Sequence, residues 1–127
     1  MFMRLTKSLL FALMLCACGA WAEWVKMIES DGTAFFMDPT TISQDGDLRR
    51  VGTLTNLKQR DKYGAMSLRI THEYDCKLDK VRMPSFSYHA DHMAKGETLL
   101  SNSTPAPWND VPPDTVLMAV RKIVCAQ

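Results

Sequence analysis

The chain has 127 residues, of which 15 are basic and 14 acidic, so its formal charge is +1; 46% of the residues are hydrophobic and four are cysteines. This near balance of charge offers no basic field for nucleic acid. The length encloses one modest core, not several.

The first segment reads as an export signal. Arg4 and Lys7 form a short positive region, and Ser8 to Cys18 is a nearly unbroken apolar run. Gly19 breaks it, and Ala20-Trp21-Ala22 places small residues where a signal peptidase reads them. The run is too short to span a bilayer, which needs about 20 apolar residues. We therefore expect a signal peptide over residues 1–22, cleaved after Ala22. A second reading of the same stretch takes Leu15-Cys16-Ala17-Cys18, followed by Gly19, as a bacterial lipobox; Cys18 would then carry a lipid. Residues 23–127 remain as a single domain with 13 basic and 14 acidic residues, a formal charge of −1.

Trp24 to Glu29 is rich in strand formers, and Ser30-Asp31-Gly32 supplies turn chemistry before a second strand over Thr33 to Asp38. Pro39 is expected to end that strand, because it cannot donate to a ladder. Thr40 to Ile42 then reads as a short turn and Gln44 to Asp47 as another. A third strand covers Leu48 to Lys58, with Val51, Thr53, Thr55 and Leu57 on one face. Lys58 to Gly64 is a charged loop. The clearest strand is the fourth: Met66, Leu68, Ile70, His72 and Tyr74 alternate with Ser67, Arg69, Thr71, Glu73 and Asp75, so one face is buried and one wet. Cys76 shares the inward parity. Val81 to Tyr88 forms a fifth strand, at an edge or bulged because of Pro84, and Glu97 to Ser101 a short sixth. Asn102 to Pro113 is a proline-rich connection with Trp108 as its packing anchor. A helix starts at Pro113 or Asp114, where proline and an acidic residue suit the first turn. Its apolar stripe is Val116, Ala119, Val120 and Ile123, and Arg121 and Lys122 suit its C-terminal end. The fold class expected is α+β: a mainly antiparallel sheet of about six strands packed against one C-terminal helix.

Cys16 and Cys18 belong to the export segment, which leaves Cys76 and Cys125 in the folded body. Two cysteines in an exported chain have one intramolecular pairing available, with two separate buried thiols as the alternative. His89-x-x-His92, with Asp91 between, is the one cluster of ligand-type residues, and His72 is its only candidate third member. Zinc wants three or four ligands in fixed geometry, and the parity of His72 makes it a core histidine satisfied by a hydrogen bond. No metal and no cofactor are expected. Glu73 and Asp75, on the wet face, read as solubilising charge. Asn102-Ser103-Thr104 matches a glycosylation sequon but reads as an ordinary polar loop. No nucleophile elbow, zinc-protease, phosphate-loop or dinucleotide motif is present, so no enzymatic activity and no catalytic residue are expected.

Four segments then fall in a familiar order: "AEWVKMIESDGTAFFMDPTTI", "HEYDCKLDKVR", Trp108 followed by "VPPDTV", and the closing "KIVC". Together they span Glu23 to Cys125 and resemble the surface-adhesin protein E family of exported bacterial proteins. The resemblance implies an antiparallel sheet with a C-terminal helix and a disulfide between Cys76 and Cys125. The family's namesake is a dimeric, lipid-anchored surface protein that binds host matrix and plasma proteins, while many members are small exported proteins of unknown role. The function expected is thus an exported, non-enzymatic binding module acting by protein–protein contact, in the periplasm in the first instance or lipid-anchored at the outer membrane or cell surface. Its partner would be a protein, a host matrix or plasma protein on the resemblance, with a homodimer also implied. The contact surface would be the exposed sheet edge or the Lys58 to Lys62 loop. The alternative is a periplasmic structural or envelope-maintenance protein without a host ligand.

Overall fold

A computed structural model describes residues 22–126. The expected signal peptide, apart from Ala22 at its end, and with it Cys18, lies outside the described residues. Strands β1 (Val25–Ser30), β2 (Thr33–Asp45), β3 (Leu48–Asn56), β4 (Ser67–Asp75), β5 (Lys80–His89) and β6 (Thr98–Asn102) follow one another as an antiparallel meander in the spatial order β1-β2-β3-β4-β5-β6. A two-residue strand β7 (Asn109–Asp110) pairs with the start of β5, and helix α1 (Val116–Val124) closes the chain. The α+β architecture is the one expected.

Local chemistry sets the corners. Asp31 and Gly32 both take positive φ, 51° and 79°, which is the two-residue turn whose twist matches a hairpin. Pro39 does not end β2. The strand runs on through a register break, in which Pro39 to Ile42 face the single residue Val51 between the pairs Asp38–Gly52 and Ser43–Arg50. Asp38 replaces the missing ladder: its Oδ1 accepts from Thr40 N and Oγ1, and its carbonyl accepts from Thr41 Oγ1. Thr41 Oγ1 in turn accepts from Gly52 N. Bulging lets a strand accommodate a residue that cannot donate. Pro84 sits in a second bulge, where Met83 and Pro84 oppose His72.

The core lies between one end of the sheet and α1. Met37, Val51, Tyr74, Val81, Val111, Val120 and Val124 form its buried cluster. The helix begins later than expected, because Asp114 takes φ 59° and Thr115 is the cap, its Oγ1 accepting from Met118 N. The side of the helix that faces the core carries Leu117, Val120 and Val124, and Ala119 and Ile123 are exposed. Tyr74 Oη donates to Leu117 O at 3.0 Å. At the other end Cys76 Sγ is bonded to Cys125 Sγ. Arg121 reinforces this closure by pairing with Asp79 and donating to Cys76 O.

Candidate interaction surface

Directly opposed residues of paired strands share a face. On the helix-bearing face, one row crosses the sheet as Met37, Thr53, Ile70 and Phe86, and the next as Ile28, Phe35, Thr55, Leu68, Tyr88 and Leu100. The second row runs from one edge strand to the other. Phe35 packs against the buried cluster, but Ile28, Leu68, Tyr88 and Leu100 are outside it. Ile28 is 53% and Leu100 38% exposed. Interrupted only by Thr55 on β3, the row is a largely apolar band, most of it outside the helix-covered cluster. Val25, at the same edge as Ile28, is also exposed.

The Leu57–Met66 connection borders this band. Asp61 Oδ1 accepts from the N–H groups of Tyr63 and Ala65, and Asp61 N donates to Ala65 O. Arg60 donates through one nitrogen to Gly64 O and Ala90 O, at 2.9 and 2.7 Å. The stem of Lys58 lies against the Gly32 turn. The loop is thus an ordered structural piece, and the charge of Arg60 is engaged in holding it. What it presents outward is Tyr63, 48% exposed, with Lys62 Nζ 5.1 Å from its ring centroid. Tyr63 lies 5.4 Å from Tyr88, which lies 5.4 Å from Phe86, all at tilted angles favourable for aromatic pairs.

The opposite face corrects one expectation. Glu73 is not solubilising charge: it is 3% exposed and lies between Arg50 Nε at 2.5 Å and Arg82 Nε at 2.7 Å. Register explains this, since Arg50, Glu73 and Arg82 oppose one another across three strands. Burial pushes the Glu73 carboxyl up, but the hydrogen bonds and charges of Arg50 and Arg82 outweigh it and hold its pKa below the usual value. The Arg82 guanidinium also lies 4.4 Å from the Trp108 ring centroid, so Trp108 anchors the proline-rich segment through a cation–π contact. Asp75 turns the chain: its Oδ1 accepts from Lys77 N and Leu78 N. Ser67, also on this face, is buried and donates to Asp91 O while accepting from Ala94 N.

The histidines stay apart. His72 is buried with Nδ1 2.9 Å from Thr53 Oγ1, and burial lowers its pKa to about 4. His89 Nε2 lies 2.7 Å from Ser87 Oγ, and burial and the nearby Arg69 lower its pKa. His92 Nε2 lies 2.8 Å from Leu57 O. Among the described residues no group of three or more His, Cys, Asp or Glu side chains is placed to hold a metal ion. A cleft of about 170 Å³ opens beside His72, Val81, Met83, Pro107 and Leu117 and is walled mostly by carbon. Among the described residues no helix is long and apolar enough to cross a membrane.

The model of the surface-adhesin protein E family matches residues 24–126. No curated protein matches the chain. Among solved structures, crystal form II of Haemophilus influenzae protein E superposes with a TM-score of 0.66 at 15% identity, covering 85% of this chain and 91% of that one. Its selenomethionine form gives 0.67 at 15% identity, covering 86% and 90%. Protein E from non-typeable Haemophilus influenzae gives 0.57 at 17% identity, covering 84% and 86%. At these identities the structures share the fold.

Proposed function

The chain belongs to the surface-adhesin protein E family, and from that premise we propose that it is an exported, non-enzymatic binding module acting by protein–protein contact. The observation that carries this is the apolar band Ile28–Phe35–Leu68–Tyr88–Leu100, which spans the sheet beside the Tyr63 loop. Large exposed apolar patches mark interaction sites, and aromatic residues are enriched in them. The two ends of the band fall on β1 and β6, the outermost strands of the path, whose free backbone groups are a template for an added strand. The occupant that fits is a protein presenting an extended apolar segment, with acidic groups near Lys62. Cleavage after Ala22 would release the domain into the periplasm; lipidation at Cys18 would hold it at a membrane.

The test is binding of the purified mature protein to immobilised matrix and plasma proteins, compared with a Tyr88→Ala/Leu100→Asp double variant. Loss of one anchor of this kind costs about 2 kcal/mol or more, so the variant should bind at least tenfold more weakly while keeping its far-UV spectrum. Equal binding by both proteins removes the band from the reading. Protease shaving of whole cells decides display: a protein cut only after the outer membrane is opened cannot meet a host ligand, and its partner must then belong to the envelope.

A further inference from the structure

We propose that the buried Asp38 carboxylate is a receiving site for the free α-ammonium of Glu23, created when the export signal is removed. The inference rests on the cleavage after Ala22 expected above. Asp38 is 1% exposed. Its Oδ1 is occupied by Thr40 N at 2.9 Å and Thr40 Oγ1 at 2.6 Å. Its Oδ2 accepts from Glu23 N at 3.1 Å. That nitrogen is a neutral amide when residue 22 is attached and an ammonium when Glu23 is the first residue.

The chemistry favours the second state. A buried carboxylate facing only neutral donors keeps much of its desolvation cost, whereas a cation in the same place offsets it. Charge-assisted bonds are shorter and about twice as strong as neutral ones. The geometry is already built. β1 starts at Val25, two residues after Glu23, and Val25 pairs with Met37, which carries Glu23 back toward Asp38. Ala22 is exposed, so the residue that must be lost is not enclosed by the fold. Trp24 is half-buried, with the Arg69 guanidinium 5.8 Å from its ring centroid, and so fixes the terminus on this face. The charged side chains on the strands packed here are Lys26 and Glu29 on β1, Arg50 on β3, and Arg69 and Glu73 on β4. Arg50 is held by Glu73 and Lys26 by Glu29. Asp38 is then the acid aligned on the new terminus, and the same carboxylate organises the Pro39 bulge. Signal removal would thereby complete the fold's own network, tying the first residue of the mature chain to the irregular centre of β2.

The experiment uses protein purified from its own envelope fraction. Intact mass is read first. The pH dependence of the Glu23 α-amine is then followed through its rate of acylation, with the label located by peptide mapping. The expected mass begins at Glu23. The α-amine should titrate at least one unit above its ordinary value of about 7.7–8.0, so labelling at pH 7 runs about tenfold slower than in the denatured chain. Asp38→Asn should restore the ordinary rate. A chain beginning at Ala22 serves where that variant fails to fold, because its amine is displaced from Asp38 and should titrate normally. A mature protein beginning at a diacylated Cys18 overturns the cleavage premise and the ion pair with it. A protein beginning at Glu23 whose amine reacts as in the denatured chain overturns the ion pair alone.

Discussion

Acid should weaken this domain well above the range in which carboxylates titrate, and His72 is the reason. Its imidazole is buried beside Thr53 Oγ1, with its pKa lowered to about 4. In the unfolded chain the same group has its ordinary pKa of about 6.5. A folded-state pKa below the unfolded one means that the stabilisation is present above pH 6.5 and is lost as pH falls, because the unfolded chain takes up the proton first. Integrating that difference from pH 7.5 to pH 5 gives a loss of about 2 kcal/mol. For a domain of this size that is a fall of about 10 °C in melting temperature. The assay is thermal melting by circular dichroism at half-unit pH steps, comparing wild type with His72→Gln, whose amide can still meet Thr53 Oγ1. His89, also lowered, contributes a smaller slope in the same window and remains in both proteins. The variant should be flatter with pH by most of the 2 kcal/mol. Identical slopes in the two proteins would refute the assignment of this penalty to His72.

Three further outcomes follow from the geometry. Reducing the Cys76–Cys125 bond, which closes a separation of 49 residues, should lower stability by roughly 4 kcal/mol in denaturant titrations, and the unreduced denatured protein should contain no free thiol from this pair. Glu73→Gln should cost about 2 kcal/mol at pH 7, because it removes the charge that two guanidiniums share; Arg50 is half exposed and can rehydrate, which keeps the figure low. The Glu73 contribution is present above the ordinary glutamate pKa of about 4.3 and disappears as pH falls through its lower folded value. Tyr74→Phe should cost about 1 kcal/mol in the same titrations, since the deleted hydroxyl leaves Leu117 O without that donor.

The architecture was legible wherever one periodicity dominated. β4 alternates strictly, so its existence, its direction and the inward parity of His72 and Tyr74 could be read from residues 66–75 alone. Two misreadings have a common physical source, which is that local rules describe isolated segments. Pro39 breaks a ladder, yet Asp38, Thr40 and Thr41 supply side-chain bonds that carry β2 past it. Asp114 would suit a first helical turn, yet it takes positive φ and leaves the cap to Thr115, so the helix starts two or three residues later than its sequence signals suggest, and its buried positions are Val120 and Val124. Glu73 was hidden for a different reason. Its burial depends on the register that sets Arg50 and Arg82 beside it, and register is a relation between strands. The apolar band is equally a product of register, assembled one residue at a time from β1, β2, β4, β5 and β6. Its local signals are the alternation of Leu68 with Ile70 on β4 and of Phe86 with Tyr88 on β5.

A size argument explains why such a band exists at all. Six strands spaced by about 4.8 Å make a sheet roughly 24 Å wide. Helix α1 has nine residues, which at about 1.5 Å each gives a rod roughly 13 Å long and about 10 Å across. One rod of that size cannot cover the apolar face of such a sheet. The disulfide and the Arg121–Asp79 pair fix the end of the helix at the β4–β5 turn, so the uncovered half is always the same half, the one bearing Leu68, Tyr88 and Leu100. A longer helix or a second one would be needed to bury it, and among the described residues α1 is the one α-helix. The Tyr63 loop covers a corner and leaves Ile28 and Leu100 in solvent at the two edges. The stability forgone by exposing these residues is of order 1 kcal/mol or more for each large side chain. An occupant that covers the band would recover that stability as binding energy, and this is the physical ground on which the proposed protein contact is put here and not at the polar loops.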